Sequence, residues 1–435
     1  MKKNKLKFGV ALIMASSMVL SACGSNSNNG GATQSPESSE PAGQTEEQKE
    51  VELKIISFRV EDKAYFDELN KAFEDAYPYI TVKYDAVPTA DYPQLRTARM
   101  TTGDVDLIAS ATEAEIVAED TRETLADLTG AEFLNNFMPD ALKAGQYEGK
   151  QYFVPISTVS MVTFYNKQIF ADNGLSVPTT WDELIAVSEA LAAKGISPIM
   201  FGGKDQWPIN MIIAQLEQSI IRPAGANSDY YSKMRTEEKK FTDAEWLEVF
   251  TKLQTLSKYF QKNYAGLDYG QAPALFAQGK AAMMIDGSWS LAQIEDANPS
   301  FETGAFLLPG SNDPVANQVA STKFGFGWMV NKDSKNKDAA IKYLEFMTSK
   351  ENYQKYNDLV RMLPTIEGVT SSSTIIQEVT PTLTNQMPIW ESLQTPGGVY
   401  NYAQYATQMI LGDITPQDIV EKMQKDYIDS KPEWK

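Results

Sequence analysis

The first third of the chain alternates apolar and polar positions in a way that predicts strands and helices in turn. Residues 51–58 form an apolar run typical of a buried strand, and 66–76 carry an apolar stripe of helical period. Residues 80–84 alternate with period two, 94–100 have a helical pattern, and 104–109 form another short apolar strand. Strand, helix, strand, helix, strand predicts an α/β layer with a mainly parallel sheet.

A second block has the same rhythm. Residues 161–165 and 196–201 are predicted strands. Thr180 to Glu183 has the sequence of a capping box and opens a predicted helix through 191. Residues 242–245 are predicted to cap a further helix, and 415–416 place a proline at the favoured first position of the last one. Two α/β lobes therefore fit this length better than one.

Composition removes several classes of function. The chain has 435 residues, a formal charge of −18, no histidine and one cysteine. Without histidine there is no Ser-His-Asp or Cys-His nucleophile and no histidine metal ligand, and a single cysteine allows no internal disulfide or Cys₄ zinc site. The acidic charge argues against a nucleic-acid partner, which requires Lys and Arg at the phosphates. The sequence predicts neither a bound metal nor a cofactor.

The first 22 residues have the pattern of an export signal. Lysines at 2, 3, 5 and 7 precede an apolar stretch, Phe8 to Leu20, that is too short for a permanent membrane span. Residues 20–24 resemble the bacterial lipobox, which implies cleavage before Cys23 and a diacylglycerol on its sulfur. An ordinary signal peptide with an incidental cysteine is the alternative. Cys23 is, however, the only cysteine, and it stands where a thiol is needed.

Residues 23–50 are predicted to be the lipidated cysteine and a disordered linker, because Ala32 and Ala42 are the only hydrophobic residues after the cysteine. No other run is long and apolar enough to span a bilayer, so membrane contact is expected through the lipid anchor alone. We expect the protein on the extracytoplasmic face of the cell membrane, on a Gram-positive surface rather than in a periplasm. The folded part is then 51–435.

Candidate ligand groups follow the predicted strands, because ligands of open α/β sheets bind beyond the carboxyl ends of the strands. Each of four strand ends carries at least one carboxylate, and two of them add a tryptophan. Aromatic faces next to carboxylates suit carbohydrate, whose C–H face packs on a ring and whose hydroxyls donate to the acid. The candidates are Arg59, Glu61 and Asp62; Glu113; Asp205 and Trp207; and Asp286 and Trp289.

Each candidate has a structural alternative. Trp207 and Trp289 could fill the interior of a lobe. For Trp328 and Trp390, a core position and a position in the binding site are equally compatible with the sequence. Asp286 could simply cap the helix that follows it. Glu61, Asp62 and Glu113 could be solvated surface groups.

Four stretches, at 73–82, 153–184, 276–289 and 331–347, resemble one family in the family's own order. The most specific is 276–289, FAQGKAAMMIDGSW, which is similar to the pattern F-x-x-G-K-A-A-M-x-x-x-G-x-W. The family is that of the family 1 extracellular solute-binding proteins of sugar ABC importers.

This resemblance implies a two-lobed α/β fold of the periplasmic-binding-protein type (class II), with a mixed, mostly parallel sheet in each lobe. The ligand cleft would lie between the lobes, with crossovers near 158–161, 305–309 and 362–366. Lobe one would comprise 51–158 plus 310–364, and lobe two 160–305 plus 366–435.

The resemblance also implies roles for particular residues. Trp289 matches the family's sugar-stacking tryptophan, Trp390 falls where late members often place another ligand aromatic, and Glu61 and Asp62 follow the first strand as the family's polar contacts do. Where some members have a glutamate, this chain has Val159, so the hydroxyl pattern of the ligand stays open.

The functional expectation is a hinge receptor that binds carbohydrate, closes around it and presents both lobes to ABC permease subunits. A separate ATPase is expected, since no GxxxxGK sequence followed by Ser or Thr occurs. We expect a monomer. The alternatives are a surface-anchored glycoside hydrolase and the same receptor with a non-sugar cargo such as a peptide or polyamine.

Overall fold

A computed structural model of the chain describes residues 49–88, 91–111, 116, 119–143, 145–223, 229–379, 386–388 and 402–430. The predictions for the export signal, Cys23, the linker up to residue 48, Glu113 and Trp390 lie outside these residues. In the described part, no helix has the length and apolar composition needed to cross a membrane.

The strands are β1 (Val51–Ser57), β2 (Ile80–Ala86), β3 (Leu107–Ser110), β4 (Gln146–Tyr147), β5 (Lys150–Gln151), β6 (Val154–Asn166), β7 (Ile199–Met200), β8 (Met283–Gly287), β9 (Thr303–Phe306), β10 (Ala320–Val330), β11 (Leu363–Pro364) and β12 (Gln386–Pro388).

The helices are α1 (Lys63–Ala76), α2 (Tyr92–Thr102), α3 (Glu119–Arg122), α4 (Pro139–Lys143), α5 (Lys167–Asp172), α6 (Trp181–Ala193), α7 (Ile209–Ile221), α8 (Tyr230–Arg235), α9 (Ala244–Ser257), α10 (Ala272–Ala277), α11 (Leu291–Asp296), α12 (Lys337–Met347), α13 (Lys350–Val360), α14 (Thr374–Val379), α15 (Tyr402–Leu411) and α16 (Pro416–Ser430).

All three predicted helices begin where the sequence indicates, and the predicted local signal is present at two of the three starts. α6 has the predicted capping box, in which Thr180 accepts from the Glu183 backbone and Glu183 reaches back. α16 begins at Pro416 as predicted. The cap predicted at 242–245 is wrong: α9 begins after Asp243, which makes no side-chain cap. The Asp243 carboxylate instead accepts from the backbone N–H of Lys240, at 3.0 Å.

The sheet is mixed, and its strands lie in the order β2-β1-β3-β10-β6-β8-β7. β1 pairs in parallel with β2 and β3, and β7 pairs in parallel with β8. The long strands β6 and β10 run antiparallel to each other and to β8 and β3 respectively. Parallel pairing therefore lies at the two ends of the strand order, with antiparallel pairing in the middle.

β6 changes its partner halfway along its length. Up to Ser160 it pairs with β10, and from Met161 it pairs with β8. The sequence predicted only residues 161–165 of this strand. β6 therefore belongs to both parts of the sheet, the part that contains β10 and the part that contains β8. The short strand β11 pairs with it at Ser157 and Thr158.

Two large apolar clusters flank this middle region. Core 1 includes Leu53, Phe66, Ile108, Trp328 and Tyr343, which come from α1, β1, β3, β10 and α12. Core 2 is built mainly by α6, α7, α9, α15 and α16 and includes Leu184, Ile212, Trp246, Phe250 and Met423. The stripe predicted for α1 is buried at Phe66, Leu69 and Phe73, whereas Ala76 is exposed at the helix end.

The segment between β9 and β10 packs beside α6. Ser311 accepts from the Trp181 backbone at 2.9 Å, and Asn317 donates to the carbonyl of Thr179 at 2.9 Å. Leu308 belongs to core 2, and Phe324 to core 1. The boundaries of the two lobes remain a prediction, and these contacts favour a boundary near 320 rather than at 310.

Candidate ligand-binding site

The segment 276–289 forms the centre of the candidate site. Its buried strand β8 ends at Gly287, and a short 3₁₀ turn at Ser288–Ser290 leads into α11. The indole of Trp289 folds back over Gly287, where a Cβ atom would lie only 2.1 Å from the ring. A larger residue at 287 would therefore displace the indole, which gives the spacing of glycine and tryptophan in this motif a physical reason.

Trp207 and Trp289, which the sequence places 82 positions apart, are brought together with Tyr269. The Trp207 and Tyr269 ring centroids lie 4.5 Å apart at 63°, and those of Trp207 and Trp289 lie 6.5 Å apart at 42°. Trp207 is 41% exposed and Trp289 is half-buried. The alternative that both rings fill the interior of a lobe is therefore wrong. We call Trp207, Tyr269 and Trp289 the aromatic cluster.

Trp289 also links the two parts of the sheet. Its side chain packs against core 1 and against a small group formed by Met161, Met211 and Ala214. Because it touches both regions while part of its surface stays open, a molecule held between them would meet this ring.

Asp286 lies behind the aromatic cluster and not on its surface. It is 1% exposed, and its carboxylate accepts from the Gly287 backbone at 2.7 Å, from Ser290 Oγ at 2.8 Å and from Tyr269 Oη at 2.9 Å. The prediction that Asp286 contacts a ligand directly is therefore wrong. The alternative of a helix cap also fails, because the N-cap of α11 is Ser290.

Burial raises the pKa of the Asp286 carboxyl to about 7, outweighing the three donors that favour the charged form. Between the ordinary carboxyl pKa and 7, the folded protein holds a proton that the unfolded chain has released. The free energy of unfolding should therefore fall as the pH rises through this window.

Asp286→Asn, which has no proton to lose, should weaken this pH dependence. Urea unfolding at about pH 5 and about pH 8 measures it. The same substitution at the exposed Asp413 is the control and should leave the pH dependence unchanged. Parallel pH profiles for the wild-type protein and Asp286→Asn would contradict the expectation.

Asp205 holds the segment that carries Tyr269. Its side chain is exposed, and Oδ2 accepts from the Tyr269 backbone N–H at 2.8 Å. Next to it, Lys204 Nζ donates to Asp268 Oδ1 at 2.5 Å. Two adjacent links therefore fix the turn at 268–269 against the turn that carries Trp207.

Arg59, Glu61 and Asp62 form a second polar group at the end of β1. Arg59 and Asp62 are buried and make a two-point ion pair, Nε to Oδ2 at 2.7 Å and Nη2 to Oδ1 at 3.2 Å. Tyr356 Oη donates to the same carboxylate at 2.8 Å. Glu61, whose side chain is 44% exposed, also pairs with Arg59 at 3.1 Å. Of the three predicted residues, Glu61 is the one whose side chain is open to a ligand.

Trp328 is a core residue, so its prediction as a ligand contact is wrong. It is fully buried on β10, with its ring edge-to-face against Phe66 and Phe326 and its Nε1 directed at Met347 Sδ, 3.1 Å away. Glu113 and Trp390 lie outside the described residues.

Tyr269, Ser290, Met161 and Met211 were missed by sequence reasoning. Tyr269 lies in a short 3₁₀ turn, Tyr269–Gln271, that follows no strand, so a search at strand ends could not find it. Met161 and Met211 look like ordinary core residues in the sequence, and their position under the aromatic cluster depends on the fold. Among the described residues, no group of three or more Cys, Asp or Glu side chains could hold a metal ion.

Comparison with known proteins identifies the family. Residues 59–354 match the family of bacterial extracellular solute-binding proteins. A multiple sugar-binding protein of Streptococcus mutans is 28% identical over 332 residues, which cover 75% of this chain and 78% of the relative.

Solved structures show the same fold. A chitin oligosaccharide binding protein superposes with a TM-score of 0.78 at 24% identity, covering 88% of this chain and 99% of that one. The solute-binding protein RafE in complex with raffinose superposes with a TM-score of 0.74 at 22% identity, covering 87% and 99%.

The fold is thus the two-lobed α/β fold of class II periplasmic binding proteins. The matching family is one of binding proteins rather than of enzymes. With the family match extending from the end of β1 into α13, this chain belongs to the bacterial extracellular solute-binding proteins.

Proposed function

We propose that this protein is the extracytoplasmic substrate-binding lipoprotein of an ABC importer, and that it captures a carbohydrate, in particular an oligosaccharide, by hinge closure. The observation that carries the proposal is the aromatic cluster, in which Trp207 and Trp289 lie together with partly open rings. A pyranose C–H face packs on such rings through dispersion contacts and the burial of apolar surface. The sugar-binding relatives support the same ligand class.

The crossing strands support a hinge in this proposal. β6 runs from core 1 towards core 2, β10 runs antiparallel beside its first half into core 1, and β11 pairs with β6 where β6 is about to change partner. Nearby, Arg361 follows α13 and pairs with Glu295 and Asp296 of α11, both at 3.0 Å. Contacts of this kind differ between open and closed arrangements, and a ligand that favours one arrangement shifts the population towards it.

The partners follow from the family and from what the chain lacks. Delivery to ABC permease subunits fits the extracellular solute-binding family. A separate ATPase would supply the energy, because the sequence has no P-loop. We further propose lipid anchoring through Cys23, a Gram-positive surface and a monomeric receptor, none of which requires a membrane span.

A ligand screen on the full chain tests the proposal. We expect raffinose, maltotriose or a chitin oligosaccharide to raise the melting temperature and change the tryptophan fluorescence. A ligand at 100 times its Kd stabilises the native state by about 2.7 kcal/mol. Spermidine and a basic peptide serve as controls for a cationic cargo. Binding of spermidine alone would favour the non-sugar receptor, and no response to any sugar would contradict the proposal.

The glycoside hydrolase alternative is favoured by one observation, the raised pKa of Asp286, which is a property of general acids in glycosidases. That chemistry needs a second carboxylate about 5–9.5 Å away across the scissile bond and access to the sugar. Asp286 is buried behind Tyr269. We therefore expect bound oligosaccharide to be recovered unchanged after prolonged incubation, and hydrolysis products would instead establish the enzyme.

A further inference from the structure

A line of hydrogen bonds runs from the edge of Trp289 into the interior. Trp289 Nε1 donates to Tyr269 Oη, and Tyr269 Oη donates to Asp286 Oδ1 at 2.9 Å. The direction of the first bond is fixed by chemistry, since an indole N–H can only donate, and the Tyr269 hydroxyl donates to Asp286 when that carboxyl is ionised. Ser290 supports this chain of hydrogen bonds, because its Oγ lies 3.1 Å from Tyr269 Oη and donates to Asp286 Oδ2 at 2.8 Å.

Tyr269 is itself held from several sides. Its backbone N–H donates to Asp205, and its ring lies edge-on to Trp207 at 4.5 Å. Gly202 lies so near that a Cβ there would be 2.7 Å from the Tyr269 Cα. The side chain therefore has a defined position before any ligand arrives, and it touches both tryptophans of the aromatic cluster.

We infer that Tyr269 is the positioning residue of this site: its hydroxyl holds the Trp289 indole by the N–H, so that Trp289 meets a ligand with its ring face only. The inference rests on the proposed function and goes beyond it by defining what this subsite recognises. With its single polar hydrogen already bound inside the protein, Trp289 offers no hydrogen bond to a hydroxyl. The subsite therefore takes the apolar C–H face of a sugar ring, and hydroxyl recognition falls to other groups.

The test is Tyr269→Phe, which removes one oxygen and keeps the ring. The affinities for raffinose, maltotriose and a chitin oligosaccharide should fall about tenfold, because the Trp289 N–H loses its acceptor and the ring its fixed position. Tyr259→Phe is the matched control: its half-exposed hydroxyl donates to Glu189 at 3.3 Å, away from the cluster, and we expect no change in affinity.

A spectroscopic measurement separates positioning from general damage. In ¹⁵N-labelled protein the indole N–H signal of Trp289 is assigned by its loss in Trp289→Phe. It should lie downfield in the wild-type protein, move upfield in Tyr269→Phe and stay unchanged in Tyr259→Phe. Ser290→Ala, which removes the supporting hydroxyl and leaves Tyr269 in place, should shift the signal less and in the same direction.

Two results would overturn the inference. One is an indole N–H signal of Trp289 that does not shift in Tyr269→Phe. The other is a hydrogen bond from this N–H to a bound sugar, seen when the wild-type protein is saturated with that sugar. The indole signal is read without ligand, so it decides the role of Tyr269 even if none of the three sugars binds. Failure of wild-type binding would count against the proposed function alone. If Tyr269→Phe does not fold, slow solvent exchange of the wild-type indole N–H supports the inference and fast exchange overturns it.

Discussion

Trp289→Ala is expected to lower the affinity for the oligosaccharide found in the ligand screen by about tenfold or more, which corresponds to about 1.4 kcal/mol. The substitution removes a half-buried ring that packs against core 1 and against the group of Met161, Met211 and Ala214. The loss combines the dispersion contacts of the stacked sugar with the apolar surface that the ring and the sugar bury together. Isothermal titration with the best ligand of the screen measures the change.

Trp289→Phe is the matched control for this experiment. Phenylalanine keeps a flat aromatic face but has no N–H to reach Tyr269, so it should recover part of the affinity lost in the alanine variant. Circular dichroism should show both variants folded, because Trp289 is half-buried and not part of a closed core. Equal affinities of wild-type protein and Trp289→Ala would show that the aromatic cluster is not the binding site.

Trp328→Ala is expected to reduce stability, whereas Trp289→Ala reduces ligand affinity. We expect a loss of about 3–5 kcal/mol in the free energy of unfolding. The ring is fully buried between Phe66 and Phe326 and contacts Met347 through its Nε1. Alanine would leave a cavity that the surrounding β-sheet cannot close, because β3 and β6 pair with β10 at this position. Urea unfolding measures the loss.

Trp328→Phe distinguishes a core role from a ligand role. The smaller ring should reduce stability less than alanine does and should leave ligand affinity unchanged, because Trp328 has no surface to offer a sugar. An affinity loss in Trp328→Phe without a stability loss would restore the original prediction that this residue contacts the ligand.

The predicted elements are most accurate where local signals and burial agree. The capping box at Thr180 and the proline at 416 are local devices, and α6 and α16 start where they indicate. Strand lengths were predicted less well: 196–201 shortens to the two residues of β7, and 161–165 is part of a thirteen-residue β6. Strand ends depend on where a neighbouring strand stops pairing, which is a property of the sheet.

Trp289 and Trp328 show how far the candidate site could be predicted from the sequence. Both Trp289 and Trp328 were candidates because aromatic residues suit a sugar. Trp289 follows the end of β8, whereas Trp328 lies inside β10, two residues before its end and paired on both sides. The position relative to the strand end is a usable signal here. Asp286 also follows the apolar run 281–285, yet it turns inwards, because Tyr269 and Ser290 supply donors that no local pattern reveals.

By itself, the sequence indicated the family, the α/β class and Trp289 in the segment 276–289 as a candidate ligand residue, since short motifs, caps and apolar periods are read from neighbouring residues. Only the tertiary structure decided which of the candidates meet. It joined Trp207, Tyr269 and Trp289 across a long stretch of chain, buried Asp286 and Trp328, and gave β6 to both parts of the sheet. These outcomes follow from packing between distant segments, where burial and the supply of hydrogen-bond donors are set by neighbours in space rather than in sequence.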